Sequence, residues 1–127
     1  KLLIENGANV HAHGNFSLLF ATSNGHYNIV KLLIENGADV HSGNDEPLIS
    51  ASQNGYFKIV KLLLENGANI HAREDKALIL ASSNNHLKVV KLLIENDANV
   101  AAQNNKAVNF AIKNSNYIMR DLLLKIN

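Results

Sequence analysis

The sequence predicts an all-α solenoid of stacked helix-turn-helix units joined by short loops. Three observations carry that prediction. KLLIENGANVHA at residue 1 returns as KLLIENGADVHS at 31, KLLLENGANIHA at 61 and KLLIENDANVAA at 91, a period of 30 residues with no insertion or deletion. A fixed period of roughly 20–50 residues is the signature of a stacked array, in which each unit touches only its neighbours. Within each unit, apolar residues recur at helical spacing, and turn-forming residues such as Asn24-Gly25 and Asn36-Gly37 interrupt them twice.

The unit at residues 16–45 shows the elements in order. From Phe16 to Asn24, Leu18 and Ala21 are three apart and Leu19 and Ser23 four apart, which defines two faces of a short helix. Asn24-Gly25 ends it, because glycine accepts the left-handed conformation that follows many helices. A second helix is predicted from Tyr27 to Asn36. Ile29, Val30, Leu32, Leu33 and Ile34 make it apolar around most of its circumference, so it must be sandwiched between neighbours. Residues Ala38 to Asn44 are rich in turn formers and read as an extended loop or short hairpin. Helices of about ten residues are too short to stand alone, so stability must come from stacking. Ala21, Ala51, Ala81 and Ala111 keep one position small, as close helix approach requires, and Leu33, Leu63, Leu93 and Leu123 keep another filled.

The chain thereby divides into a partial unit at 1–15, full units at 16–45, 46–75 and 76–105, and a last unit at 106–127. Leu2, Leu3 and Ile4 repeat an internal second helix with no polar adaptation, from which further repeats or another domain are expected before Lys1. The last unit reads as a C-terminal cap. Arg120 stands where Val30, Val60 and Val90 stand, Asn109 replaces Leu19, Ile49 and Ile79, and Asp97 and then Asn127 replace Gly37 and Gly67. Ile112 and Ile118 run against that trend, being more apolar than their counterparts.

Composition narrows the function. Twelve Lys+Arg against 11 Asp+Glu give a formal net charge of +1, which supplies neither a nucleic-acid footprint nor a polybasic membrane patch. The absence of cysteine removes disulfides and thiolate metal sites, and no apolar run reaches membrane-spanning length. Asparagine takes 20 of 127 positions; with the apolar period intact, this reads as genomic bias plus turn chemistry rather than a prion-like tract. No Gly-x-Ser-x-Gly, phosphate loop or His-Glu-x-x-His occurs. His11, His41 and His71 recur every 30 residues, but stacked helices lie about 8–10 Å apart and a metal needs its ligands at about 2 Å. They read as loop histidines bonded to neighbouring backbone, and His26 and His86 as structural. The adjacent acids Asp45-Glu46 and Glu74-Asp75 sit in short loops, where the desolvation that a catalytic acid needs is rare. Lys31 and Glu35, with their equivalents, form ladders of like charge, in the poorer order for a helix, and read as a solubilising face. Neither a cofactor nor catalysis is expected.

The run xLxxAxxNGHxxIVKLLLENGADV, present as NGHYNIVKLLIENGADVH at 24–41 and covering nearly the whole chain in four copies, resembles the ankyrin repeat. The resemblance implies an ankyrin-repeat solenoid. The family's unit has about 33 residues, so the shortfall here falls in the loop and implies short fingers. The family's usual TPLH start is nearly lost, leaving apolar contact to tie units together. The short unit resembles the ankyrin arrays of large DNA viruses, which implies an intracellular protein of the host cytoplasm.

By this resemblance, one face of helix one and the fingers would line a concave surface where a protein partner binds. The implied partner-binding residues are His13, Asn15, Phe16 and Leu19 in the first unit and Asn44, Asp45, Glu46, Ile49 and Gln53 in the second. Arg73, Glu74, Asp75, Lys76 and Ile79 follow in the third, and Gln103, Asn104, Asn105, Lys106 and Lys113 in the last. Leu19, Ile49 and Ile79 have packing between repeats as their alternative role. The expected function is a non-enzymatic, monomeric protein-interaction scaffold that binds neither nucleic acid nor membrane. The alternatives are a regulatory or spacer segment of a larger enzyme or channel, and the substrate receptor of a ubiquitin-ligase complex.

Overall fold

The computed structural model describes residues 10–125, with side chains from Ser17 onward. The second helix expected at residues 1–7 and the terminal Asn127 lie outside the described residues, as do the side chains of His11, His13, Asn15 and Phe16. Within them run eight helices and no strand: α1 (Val10–Ser23), α2 (Tyr27–Glu35), α3 (Ser42–Asn54), α4 (Phe57–Glu65), α5 (Ala72–Ser83), α6 (Leu87–Glu95), α7 (Ala102–Lys113) and α8 (Tyr117–Leu124). The odd helices stack on one another in one layer and the even helices in a second, and each odd helix packs on the even helix that follows it. The all-α solenoid therefore holds.

The recurring residues form the core. Leu18, Leu48 and Leu78 are buried, as are Ala21, Ala51, Ala81 and Ala111 beside them and Leu33, Leu63, Leu93 and Leu123 on the even helices. Val30, Val60 and Val90 are fully enclosed, whereas Arg120 at the matching place lies over the Tyr117 ring at 4.8 Å and pairs with Asp121. One apolar cluster runs through all units, which is how a helix too short to fold alone is held.

Asparagine supplies the helix ends. The side-chain N–H groups of Asn24, Asn54 and Asn84 donate to the carbonyls of Phe20, Ser50 and Leu80, and those of Asn36, Asn66 and Asn96 to Leu32, Leu62 and Leu92, all at 2.8–2.9 Å. At Asn24, Asn36, Asn66, Asn84 and Asn96 the same carbonyl also accepts the asparagine's own backbone N–H, so each last turn is clamped twice. Asn69 and Asn99 work differently: their side chains accept from the N–H two residues on, at His71 and Ala101, and Asp39 does the same for His41. These are Asx turns.

The segment after the second helix is neither extended nor a hairpin. It is a compact turn that winds directly into the next helix one, and its last residues are left-handed. Gly43, Asn44 and Asp45 have φ of 64, 60 and 62°, Arg73, Glu74 and Asp75 have 53, 56 and 59°, and Gln103, Asn104 and Asn105 have 53, 60 and 60°. Each left-handed turn closes with an N–H···O bond four residues back, such as Asp75 to His71 at 3.2 Å. Three residues then reverse the chain where an extended finger would need more, which accounts for the 30-residue unit. Pro47 follows in the first right-handed turn of α3, where its missing N–H leaves no intrahelical bond unmade.

Candidate functional site

The left-handed turns are costly for residues other than glycine, about 1–2 kcal/mol each, and the structure shows what offsets that cost. Asp45 and Asp75, the third residue of their turns, are 4% and 3% exposed. The Asp45 carboxylate accepts from the backbone N–H of Asn69 at 2.9 Å, and that of Asp75 from Asn99 at 2.7 Å, each in the next unit. Within the same turn, His41 Nδ1 donates to Asp45 and His71 Nδ1 to Asp75, both at 3.0 Å. The two histidines thus bond a carboxylate rather than backbone. Asp45 and Asp75 leave the partner-binding set: they are enclosed, and their oxygens are committed to holding one unit on the next. The sequence carried a partial signal for this pair, since Ala101 and Asn105 replace the histidine and the aspartate together, although His11 stands with Asn15.

Ile49 and Ile79 also leave the set, being 2% and 4% exposed in the odd-helix layer, while Leu19 is half-buried. Packing is thus the role of the two isoleucines. Arg73 is exposed but engaged: its guanidinium pairs with Glu46 at 2.9 Å and donates to the Gly43 carbonyl at 2.7 Å. Gln103 repeats the reach, donating to the Glu74 carbonyl at 3.2 Å. Neighbouring fingers are therefore tied laterally. What remains exposed on helix one and the fingers is Asn44, Gln53, Glu74, Gln103, Asn104, Asn105, Lys106 and Lys113, with Glu46 and Lys76 half-buried. Lys106 lies 5.9 Å over the Phe110 ring.

At the opposite ends of the helices, a second set of bonds joins the units. His86 Nε2 donates to the Gln53 carbonyl at 2.9 Å, and Asn116 donates to the Asn85 side chain at 2.8 Å. Tyr56 makes a longer contact of 3.5 Å with the Ser23 carbonyl. Tyr56 sits against the left-handed Gly25 and His86 against the left-handed Gly55; a Cβ on Gly55 would come within 2.5 Å of the His86 ring. His86 is structural, as its place before helix two suggests. Among the described residues no group of three or more His, Cys, Asp or Glu is arranged to hold a metal ion, and no helix is long and apolar enough to cross a membrane.

A family model for ankyrin repeats (three copies) matches residues 1–74 and 48–127. No curated protein matches the chain.

Proposed function

The chain belongs to the ankyrin-repeat family, and we propose that it is a monomeric, non-catalytic scaffold that docks a protein partner across the exposed face of helix one and the fingers. Repeats of this family are generally protein–protein interaction modules, and typically not catalytic. The observation that supports this surface is polar and charged variation on it above a constant buried frame. At matching places the chain reads Glu46, Lys76 and Lys106, then Gln53, Ser83 and Lys113, while Leu48, Leu78 and Ala51, Ala81 beneath them stay apolar and buried. The charge runs from acidic to basic along the array, an asymmetry that fixes the direction in which a charged partner lies.

The lateral bonds of Arg73 and Gln103 support a preformed surface, which reduces the ordering cost of binding. Chemical cross-linking from single cysteines tests the reading. Lys113→Cys and Glu74→Cys are expected to capture a lysate partner that Glu35→Cys, on the even-helix layer, does not. Equal capture from all three positions would sink it.

A further inference from the structure

We infer that the edge built from the turns between helix one and helix two is a second docking site, for an acidic peptide segment carrying a large apolar side chain. This surface lies at the other end of the helices from the fingers. It goes beyond the concave-face reading and does not rest on it.

Two observations converge there. The first is shape and chemistry. Tyr27, Tyr56 and Phe57, with the buried Ile59 beneath, line a shallow open groove whose rim carries Lys58 and Lys88. Phe57 is 37% exposed. Leu87 and Tyr117 occupy the places of Tyr27 and Phe57 in the following units, so an apolar row continues along the edge.

The second is charge segregation. No Asp or Glu occurs at residues 10–34, 47–64, 76–94 or 98–120; among the described residues the acids gather at the finger side, at Glu35, Glu65 and Glu95 and in the turns that follow, apart from Asp121. Lys58 and Lys88 form no ion pair among the described residues, and no acid sits in the first turn of α4 or α6. Lysine near a helix N-terminus opposes the helix dipole, so these lysines do not serve the helices that carry them. They add to the positive end of each dipole instead. The edge thereby presents apolar side chains within a positive field that no acid of its own unit neutralises. An extended chain with alternating acidic and aromatic residues matches it: rings seat on Tyr27 and Phe57, and carboxylates face Lys58 and Lys88. A nucleic acid fits less well, because its uninterrupted phosphates would also meet the acidic finger side of so short an array.

The test uses a short fluorescein-labelled peptide alternating aspartate or glutamate with phenylalanine, read by anisotropy. Comparison probes replace phenylalanine with glycine, replace the acids with lysine, or are a single-stranded RNA oligonucleotide. Binding of the first peptide is expected, with about tenfold weakening on raising the salt past the screening range and about tenfold or greater loss in the double variant Lys58→Glu, Lys88→Glu. The pair Lys106→Glu, Lys113→Glu, on the concave face, is expected to bind as the unaltered chain does. The edge variant is also expected to unfold at an equal or higher temperature, because glutamate in a first turn suits the dipole; a merely structural lysine would give the reverse. No binding, equal binding of the glycine probe, tighter binding of RNA, or loss of self-association in the edge variant without peptide binding would each overturn the assignment.

Discussion

The carboxylate of Asp75 and the backbone N–H of Asn99 lie 2.7 Å apart across a repeat boundary. Asp75 adopts a left-handed backbone to reach there, and His71 holds its oxygens from the other side. A hydrogen bond to a charged acceptor contributes about 1.5–3 kcal/mol. Asp75→Ala is therefore expected to destabilise the array by about 2–3 kcal/mol in urea unfolding followed by far-ultraviolet circular dichroism. Asp75→Asn should lose less, since Asn105 makes the same turn in the next unit. An alanine variant as stable as the unaltered chain would mean that the bond contributes nothing net.

The left-handed turn itself is testable at Glu74, whose φ is 56° and whose side chain is exposed. Glycine takes this conformation without steric cost, and a β-branched residue resists it. Glu74→Gly should stabilise by about 0.5–1 kcal/mol and Glu74→Val should destabilise by about 1 kcal/mol or more. The Glu74 carbonyl that receives Gln103 is backbone and survives both changes. If both variants matched the parent, the turn would not be left-handed in solution.

Gly55 and Gly67 separate strain from collision. Both have positive φ, 76° and 89°, but an added Cβ meets the His86 ring only at Gly55. Gly67→Ala should cost about 1 kcal/mol from backbone conformation alone. Gly55→Ala should cost more, and the excess should shrink when His86→Ala is combined with it. The coupling in that double-mutant cycle measures the contact across the repeat boundary; strictly additive effects would remove it.

Leu63 is fully enclosed at the centre of the array. Its truncation to alanine is expected to cost about 2–5 kcal/mol. Because each unit touches only its neighbours, the loss should appear first as faster hydrogen exchange in α4 and the helices beside it. Uniform exchange along the chain would indicate a single cooperative block instead.

The stacking frame was legible because it repeats. Helix two was expected at Tyr27 to Asn36 and runs Tyr27–Glu35 with Asn36 as its cap, and the invariant Ala81 and Leu93 are buried where the pattern places them. The finger turn was not legible. Local propensity argues against Arg73 and Glu74 in a left-handed turn; the Asp75 bond to the next unit and the Arg73 bonds to Gly43 and Glu46 help hold it, so tertiary structure overrides the local signal. Asp45 reads as an exposed loop acid for the same reason: its partner, the Asn69 N–H, is 24 residues away and is backbone, which no side-chain pattern marks. Of the partner-binding expectation, the polar positions such as Gln53 and Lys113 stay on the surface, while Ile49 and Ile79 do not, because an apolar residue on helix one serves the stack first.

The measurement that bears most directly on the proposed function is a quantitative comparison of captured partners. Gln53, Glu74, Lys76, Lys106 and Lys113 are replaced together by alanine, leaving Asp75, Arg73 and the core untouched. The array and this variant are used as bait in parallel, with helical content checked by circular dichroism and partners quantified by mass spectrometry. The concave-face account predicts a folded variant that loses its partners. A folded variant retaining the same partners at the same abundance would contradict it.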